Sequence, residues 1–326
     1  MRVAGGAFAA GAFYWLLRGL DFARFFALLA QASVPLVLLV PASILLEQWL
    51  RAWKWRQVLW DLRQVPAWRL FQATMAGYIP GMLIGFGSSM LARSWLVARR
   101  STAATSTVLA TTAVDRFIDL LAFAVLVGLA AALVALPNSH AALLRALHWS
   151  GALLLALAFL AFAALSVARR GGLQRLSAIC PRAIRNAVHG ALADFALGIT
   201  WPRSRLRRVA IIAAALLVKA VAATQYLWAG LAFDVRLAFG DYLFLTAFFG
   251  TLVVVAFFVR VPGSGLLASM FALEVLGVPK AQALAITVTV VSSYMLTVVI
   301  AGGAALISEG VSPARLRAAL RTSAPS

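Results

Sequence analysis

Apolar segments recur from one end of this chain to the other, and they limit the folds it can adopt more than any other feature. Hydrophobic residues make up 63% of the 326 residues and charged residues 12%. A helix needs about 20 mostly apolar residues to cross a bilayer. The sequence therefore predicts an all-α polytopic membrane protein with about 6–8 transmembrane helices, formed as one integral membrane domain over residues 1–326.

The net charge of +19 indicates which side of the membrane the loops face. Arginine and lysine concentrate in cytoplasmic loops, next to an anionic leaflet. The basic stretch 168–208 is the longest polar segment and is predicted to be a cytoplasmic connector. Both termini are predicted to be cytoplasmic as well. Nucleic acid is excluded as a partner, because no basic soluble module exists to bind it.

Shorter segments and single residues of the sequence give further predictions. Residues 3–17 are expected to be a retained first span, because no cleavage site follows them. The segment RAWKWR at 51–56 alternates aromatic and cationic residues, which is typical of an anchor at the membrane interface. The single Cys180 and the lack of a Cys/His cluster predict no metal site and no cofactor. Further predicted segments are an interfacial helix or lead-in at 22–34, an interfacial helix at 183–199, and spans at 35–50, 120–136, 149–167, 209–233, 242–259 and 281–307.

Two apolar segments are interrupted by a Pro-Gly pair, Pro80-Gly81 and Pro262-Gly263. Proline removes a helical hydrogen bond and glycine weakens a helix, so each segment is predicted to be broken or re-entrant. Paired broken segments in two halves of a membrane protein point to a transporter site formed by an internal repeat. The predicted repeat halves are residues 35–136 and 205–308, with the two broken elements meeting near the middle of the bilayer.

Asp115, Arg116 and Asp119 are the candidate site. Each charge at membrane depth costs roughly 3 kcal/mol or more, so such residues face a partner or a wet cavity. Asp115 and Asp119 share one helix face, and Arg116 is spaced to pair with Asp119. One interpretation is an ion-pair cluster that fixes helix packing. The other is that Arg116 binds a lipid phosphate, for which a planar guanidinium is suited, while Asp119 orients it.

Further basic residues are candidates for the same site, and each has two interpretations. Arg93, together with Arg99 and Arg100, is interpreted either as a leaflet-facing patch or as part of a central site. Arg260 lies beside the second break and is either a ligand or an interface anchor. Helix N-termini after the breaks would add N–H donors for an anion. The substrate-binding candidates are therefore Arg116, Asp119, Asp115, Arg93, Arg260, Pro80, Gly81, Pro262, Gly263 and Gly265.

In several segments the chain resembles the membrane domain of the lysylphosphatidylglycerol synthase and flippase-like family, which includes hopanoid-associated bacterial proteins. The resemblance covers roughly residues 40–305. The basic positions kept include Arg51, Arg56, Arg93, Arg99, Arg100 and Arg116, together with Asp119. The matching segments are RAWKWR at 51–56, the Pro80 break, ARSWLVARR at 92–100, DRFID at 115–119, and VPGSG followed by LGVP within 261–279.

The chain also departs from the family pattern. Ser89-Met90 stands where many members have Gly-Glu, and Ser269 stands near a position where many have a glutamate. A basic residue frequent in the last helix is replaced around 292–294. These differences bear on the substrate and on any coupling to protons.

The resemblance implies a lipid translocator of the bacterial inner membrane that moves a phospholipid or related anionic amphiphile between leaflets. The implied partners are membrane lipids with phosphate headgroups, and a homo-oligomer or a lipid-modifying enzyme partner is left open as an alternative. Alternatives are a transporter of a neutral hopanoid-like or sterol-like lipid and a non-catalytic scaffold. An enzyme is not expected, because no HExxH, GxSxG, P-loop or CxxC pattern occurs.

Overall fold

The computed structural model describes residues 14, 18, 21–62, 64–83, 85–101, 103–135, 140–259 and 264–310. Within these ranges the regular structure is helical, which confirms the predicted all-α class. A 3₁₀ segment spans Gly172–Ile179. The α-helices are α1 Phe22–Gln31, α2 Val34–Leu59, α3 Ala67–Leu83, α4 Phe86–Ser101, α5 Thr105–Leu133, α6 Ala141–Arg169, α7 Arg182–Gly198, α8 Arg205–Ala232, α9 Phe239–Val259, α10 Ser264–Val275 and α11 Lys280–Ser308.

Among the described helices, four are long and apolar enough to cross a membrane: α2, α5, α6 and α11. They have 26 to 29 residues each, more than the ~20 residues that a span requires. The predicted spans at 209–233 and 242–259 fall largely within the helices α8 and α9. The predicted first span at 3–17 lies outside the described residues. The polytopic class is therefore established, while the number of spans stays a prediction.

The first broken element is a pair of short helices, α3 and α4, packed against each other. They have 17 and 16 residues, and both are shorter than a typical span. The prediction that the helix breaks at Pro80 is wrong, because Pro80 lies inside α3. The break comes at Gly85, whose φ of 134° is a conformation that residues with a side chain rarely adopt. Re-entry into the membrane stays a prediction.

The chain divides into two compact units. One consists of Met1–Leu46, Phe123–Leu154 and Lys219–Met295, and the other of Glu47–Ala122, Leu155–Val218 and Leu296–Ser326. In the first unit, α9 packs against α10. The hydroxyl groups of Tyr226 and Ser269 are 2.7 Å apart and buried. Ser269 therefore joins α8 to α10.

The second unit contains the α3–α4 hairpin and the end of α11. The two helices of the hairpin approach closely at Gly81, where an added Cβ would lie 3.0 Å from the Cβ of Ser89. α11 meets α3 at Gly302, where an added Cβ would lie 2.6 Å from the carbonyl oxygen of Met75. The predicted repeat corresponds to the helix series α2 to α5 and α8 to α11, and it stays a prediction.

Gly302 and the adjacent Gly303 offer a test of this packing. We expect Gly302→Ala to lower the free energy of unfolding by about 1–3 kcal/mol, because the backbone of α3 has to shift. Gly303→Ala is the matched control, since nothing lies within 4 Å of a Cβ added there. Thermal unfolding of both variants in detergent measures the difference. Equal melting temperatures would contradict the close contact between α11 and α3.

Candidate functional site

The candidate site is a cluster of charged side chains in the second unit, carried by α2, α4 and α5. On α2, Glu47, Arg51 and Lys54 are spaced by four and three residues, which places them on one face of the helix. On α5, Asp115 and Asp119 are four residues apart and share a face for the same reason. We call the seven residues Glu47, Arg51, Lys54, Arg93, Asp115, Arg116 and Asp119 the charged cluster.

Lys54 lies at the centre of the charged cluster. Its side chain is completely buried. The Nζ atom is 3.1 Å from Oδ1 of Asp115 and donates a short hydrogen bond to Oδ1 of Asp119. A buried cation between two carboxylates offsets the cost of burying all three groups. Lys54 therefore holds α2 against α5.

Arg51 extends the cluster along α2. It donates to Oε1 of Glu47 from Nη2 at 2.7 Å and from Nε at 2.9 Å. It also donates from Nη1 to Oδ2 of Asp119 at 3.1 Å. Arg116 approaches the same Oδ2 atom with its Nη1 at 3.7 Å. The carboxylate of Asp119 is thus shared by three cations, and Arg116 is the most distant of them.

Arg93 enters the cluster from α4. Its side chain is 4% exposed, and its Nη2 is 3.6 Å from Oδ2 of Asp115. The guanidinium carbon lies 4.9 Å from the ring centre of Trp55, within the range of a cation–π interaction. Within the described part of the chain, Nε and Nη2 of Arg93 are buried and have no hydrogen-bond acceptor. Arg93 therefore has two buried donors without an acceptor among the described residues.

Neutral contacts fix the three helices around these charges. The indole Nε1 of Trp55 donates to Oγ1 of Thr111 at 3.1 Å, which joins α2 to α5. The hydroxyl groups of Ser94 and Thr112 are 3.2 Å apart and join α4 to α5. A Cβ added at Gly77 would lie 3.1 Å from the Cβ of Arg93, so α3 packs tightly behind that arginine. The packing of α3 and the contact between α4 and α5 therefore fix the position of Arg93.

The charges in the cluster do not balance. Four basic and three acidic side chains give the cluster a net charge of +1. The least exposed members are Lys54, Asp115 and Arg93, while the side chains of Arg51 and Arg116 are 18% and 26% exposed. Among the ion pairs of the described residues, the cluster therefore has one positive charge in excess. An anion bound beside Arg93 would compensate it.

Sequence reasoning identified four members of this cluster, Asp115, Arg116, Asp119 and Arg93, and the structure brings them together. It missed Glu47, Arg51 and Lys54 as members of the site. Their spacing on one face of α2, which places the basic residues Arg51 and Lys54 together on that face, was the available signal. Arg93 belongs to this centre, whereas Arg99 and Arg100 are exposed and pair with Glu309.

The prediction that RAWKWR is an interface anchor is wrong for two of its residues. Lys54 and Trp55 are both 0% exposed. The ammonium group of Lys54 contacts carboxylates of the charged cluster, and the indole N–H of Trp55 donates to Thr111. An aromatic group with two exposed tryptophans, Trp49 and Trp68, lies nearby. It consists of Trp49, Trp68 and Phe71, with ring centres 5.5 to 6.5 Å apart.

The remaining residues that the sequence predicted for the site lie outside the charged cluster or outside the described residues. Pro80 is buried in α3, and its carbonyl oxygen accepts a hydrogen bond from the hydroxyl of Ser88 at 2.8 Å. Gly265 lies in α10, where an added Cβ would be 3.0 Å from the ring of Phe249. Because α3 continues through Pro80, the expected helix N-terminus after it is instead at Phe86. Arg260, Pro262 and Gly263 lie outside the described residues.

A family model described as the lysylphosphatidylglycerol synthase TM region matches residues 2–302. The chain belongs to this family. The match confirms the resemblance drawn from the sequence motifs and identifies a multi-pass membrane protein of a membrane-domain family associated with lipid synthesis or flipping. No curated protein and no solved structure matched the chain.

The charged cluster lies within the part of the chain that the family model matches. The matched residues include every member of the cluster, from Glu47 to Asp119. The cluster is therefore part of the family's transmembrane region and not of an appended segment. No group of three or more histidine, cysteine, aspartate or glutamate side chains suited to a metal occurs in the described ranges.

Proposed function

We propose that this protein is a lipid translocator of the bacterial inner membrane, which moves a phospholipid or related anionic amphiphile between leaflets. The observation that carries the proposal is the net positive and largely buried charged cluster, in which two donors of Arg93 have no acceptor among the described residues. A phosphodiester anion would supply both an acceptor for these donors and the missing negative charge. The proposal assigns no covalent chemistry to the protein.

Arg93 is the best-placed residue for a phosphate. Asp115 is 3.6 Å from its Nη2, beyond ordinary hydrogen-bond distance, and Asp115 is also neutralised by Lys54. Among the described residues, Arg93 therefore has spare donors, while Arg51 already makes three hydrogen bonds to carboxylates. A guanidinium with a fixed orientation suits a phosphate that has to bind and leave without rearranging the site.

The headgroup would enter beside the more exposed side chains of the cluster. Arg116 and Arg51 retain 26% and 18% exposure, so they are the first cations that an arriving phosphate meets. The acyl tails would stay in the bilayer. Alternating exposure of the site would come from movement of the two predicted repeats, as in other transporters with broken helices.

A packing role is the second candidate. The contacts of Lys54 with Asp115 and Asp119 would join α2 to α5 even in a protein that moves no lipid. In a scaffold of this kind, the cluster would need no anion.

Movement of fluorescent lipids in proteoliposomes tests the proposal. We expect the purified protein to accelerate movement of phosphate-containing lipids over that of a neutral lipid. We also expect Arg116→Ala to slow it by about threefold to tenfold, since a weak, partly exposed contact is lost. Arg205→Gln is the matched control, because Arg205 is an exposed arginine at the start of α8. No movement of any lipid by well-folded protein would favour the scaffold, and preference for the neutral lipid would favour a hopanoid-like substrate.

A further inference from the structure

Ser89 is a buried polar residue near the start of α4 and is not a member of the charged cluster. It is 5% exposed, and its Oγ atom has no hydrogen-bond partner among the described residues. Buried polar groups in folded proteins are usually hydrogen-bonded, because an unpaired one lowers stability. A buried hydroxyl of this kind is therefore a candidate ligand for a bound molecule.

The backbone carbonyl that would usually accept this hydroxyl is already in use. A serine inside a helix can donate to the carbonyl four residues earlier, which for Ser89 is the carbonyl of Gly85. A carbonyl oxygen has two lone pairs, and that of Gly85 accepts from the backbone N–H of Ser88 at 3.1 Å and from its hydroxyl at 2.5 Å. The hydroxyl of Ser89 is therefore left to a partner outside its own helix.

Ser89 and Arg93 lie on the same face of α4. They are four residues apart, the spacing at which helical side chains are neighbours. A Cβ added at Gly77 of α3 would lie 3.1 Å from the carbonyl oxygen of Ser89 and 3.1 Å from the Cβ of Arg93. A Cβ added at Gly81 would lie 3.6 Å from Oγ of Ser89. At these two positions, α3 therefore brings no side chain that could pair with Ser89 or Arg93.

Arg93 supplies a second donor on this face. Its Nε atom has no hydrogen-bond acceptor among the described residues, and its contact with Asp115 at 3.6 Å is made by Nη2. A serine hydroxyl and a guanidinium N–H can both donate, and a phosphodiester offers two non-bridging oxygens and a negative charge. One phosphate could therefore accept from both residues.

We infer that Ser89 is a second phosphate ligand, whose hydroxyl forms a two-point binding site for a phosphodiester headgroup together with Nε of Arg93. This inference rests on the function proposed above, because its ligand is the phosphate of the lipid that is moved. It also gives Ser89→Ala opposite effects on stability and on binding. The substitution removes an unpaired buried group, which does not destabilise the fold, while it takes one ligand from the phosphate.

Lipid binding by the full-length protein in detergent tests the inference without requiring transport. Native mass spectrometry measures retention of phosphatidylglycerol and of a diacylglycerol with the same acyl chains, which has no phosphate. We expect Ser89→Ala to bind phosphatidylglycerol about threefold to tenfold more weakly than the wild type, the loss of one hydrogen bond. Binding of diacylglycerol should not change, and the melting temperature should equal or exceed that of the wild type.

Ser94→Ala is the matched control, since Ser94 is a buried serine of the same helix whose hydroxyl is 3.2 Å from that of Thr112. It should lower the melting temperature and keep the preference for phosphatidylglycerol. A double variant tests the shared ligand. If Ser89 and Arg93 bind one phosphate, Ser89→Ala should weaken binding by less than about twofold once Arg93→Gln is present.

The results also separate this site from the proposed translocation. Binding that depends on Ser89 in a protein that moves no lipid would support the site and contradict the translocator. Wild-type binding of phosphatidylglycerol by Ser89→Ala would overturn the site, even if Arg93→Gln slows lipid movement. A lower melting temperature of Ser89→Ala with equal losses for both lipids would also overturn it, because the hydroxyl would then serve packing.

Discussion

Replacing Lys54 with methionine is expected to lower the free energy of unfolding by about 3–5 kcal/mol, the range measured when one partner is removed from a buried ion pair. Methionine fills a similar volume, so the loss reports the charge and not a cavity. Without Lys54, the carboxylates of Asp115 and Asp119 lose the cation that both contact. Denaturation of the purified protein in mixed micelles measures the effect.

A control variant and a rescue variant accompany Lys54→Met. Lys280→Met removes a lysine outside the charged cluster, which donates to the backbone carbonyl of Arg18, and should lower stability by much less than Lys54→Met does. Adding Asp119→Asn to Lys54→Met should recover part of the loss, with a coupling energy of about 0.5–3 kcal/mol for residues in contact. If Lys54→Met is as stable as the wild type, the ion pairs do not hold α2 against α5.

Replacing Arg93 with glutamine is expected to slow movement of phosphate-containing lipids by about tenfold or more, the effect of losing charge-assisted hydrogen bonds to the substrate. The fold should persist, because Asp115 keeps its contact with Lys54 at 3.1 Å and the cluster becomes neutral. Lipid movement in proteoliposomes gives the rate, and the melting temperature shows that the variant is folded.

A conservative variant of Arg93 separates the effect of its charge from the effect of its donor geometry. Arg93→Lys keeps the charge but loses the planar fork of donors, so an intermediate rate is expected. A rate for Arg93→Gln equal to that of the wild type, together with a slow Arg116→Ala, would place the phosphate on the exposed side of the cluster. Full activity of both variants would mean that the charged cluster serves packing alone.

Together, the Lys54 and Arg93 experiments separate two roles within one cluster. Lys54 makes close contacts with two carboxylates and has no exposed surface, so its removal should act on stability. Two donors of Arg93 have no acceptor in the described part of the chain, so its removal should act on lipid. A protein in which both substitutions affect only stability would be a scaffold by this criterion.

The sequence by itself determined the class of protein and part of its site. Long apolar runs predict membrane helices because an apolar helix of that length satisfies its own backbone in lipid. The spacing of Asp115 and Asp119 places them on one face of α5 because an α-helix repeats every 3.6 residues. Both conclusions depend on properties within a single helix, and sequence spacing is enough to fix them.

Only the tertiary structure decided what lies against that face. The alternation of tryptophan and cations in RAWKWR is compatible with an interface anchor or with a buried contact, and packing on α5 buries Lys54 and Trp55. The location of the chain reversal also depended on structure, since the helix continues through Pro80 and ends before Gly85. Contacts between residues far apart in sequence follow from how helices pack, and helical periodicity does not specify the packing partner.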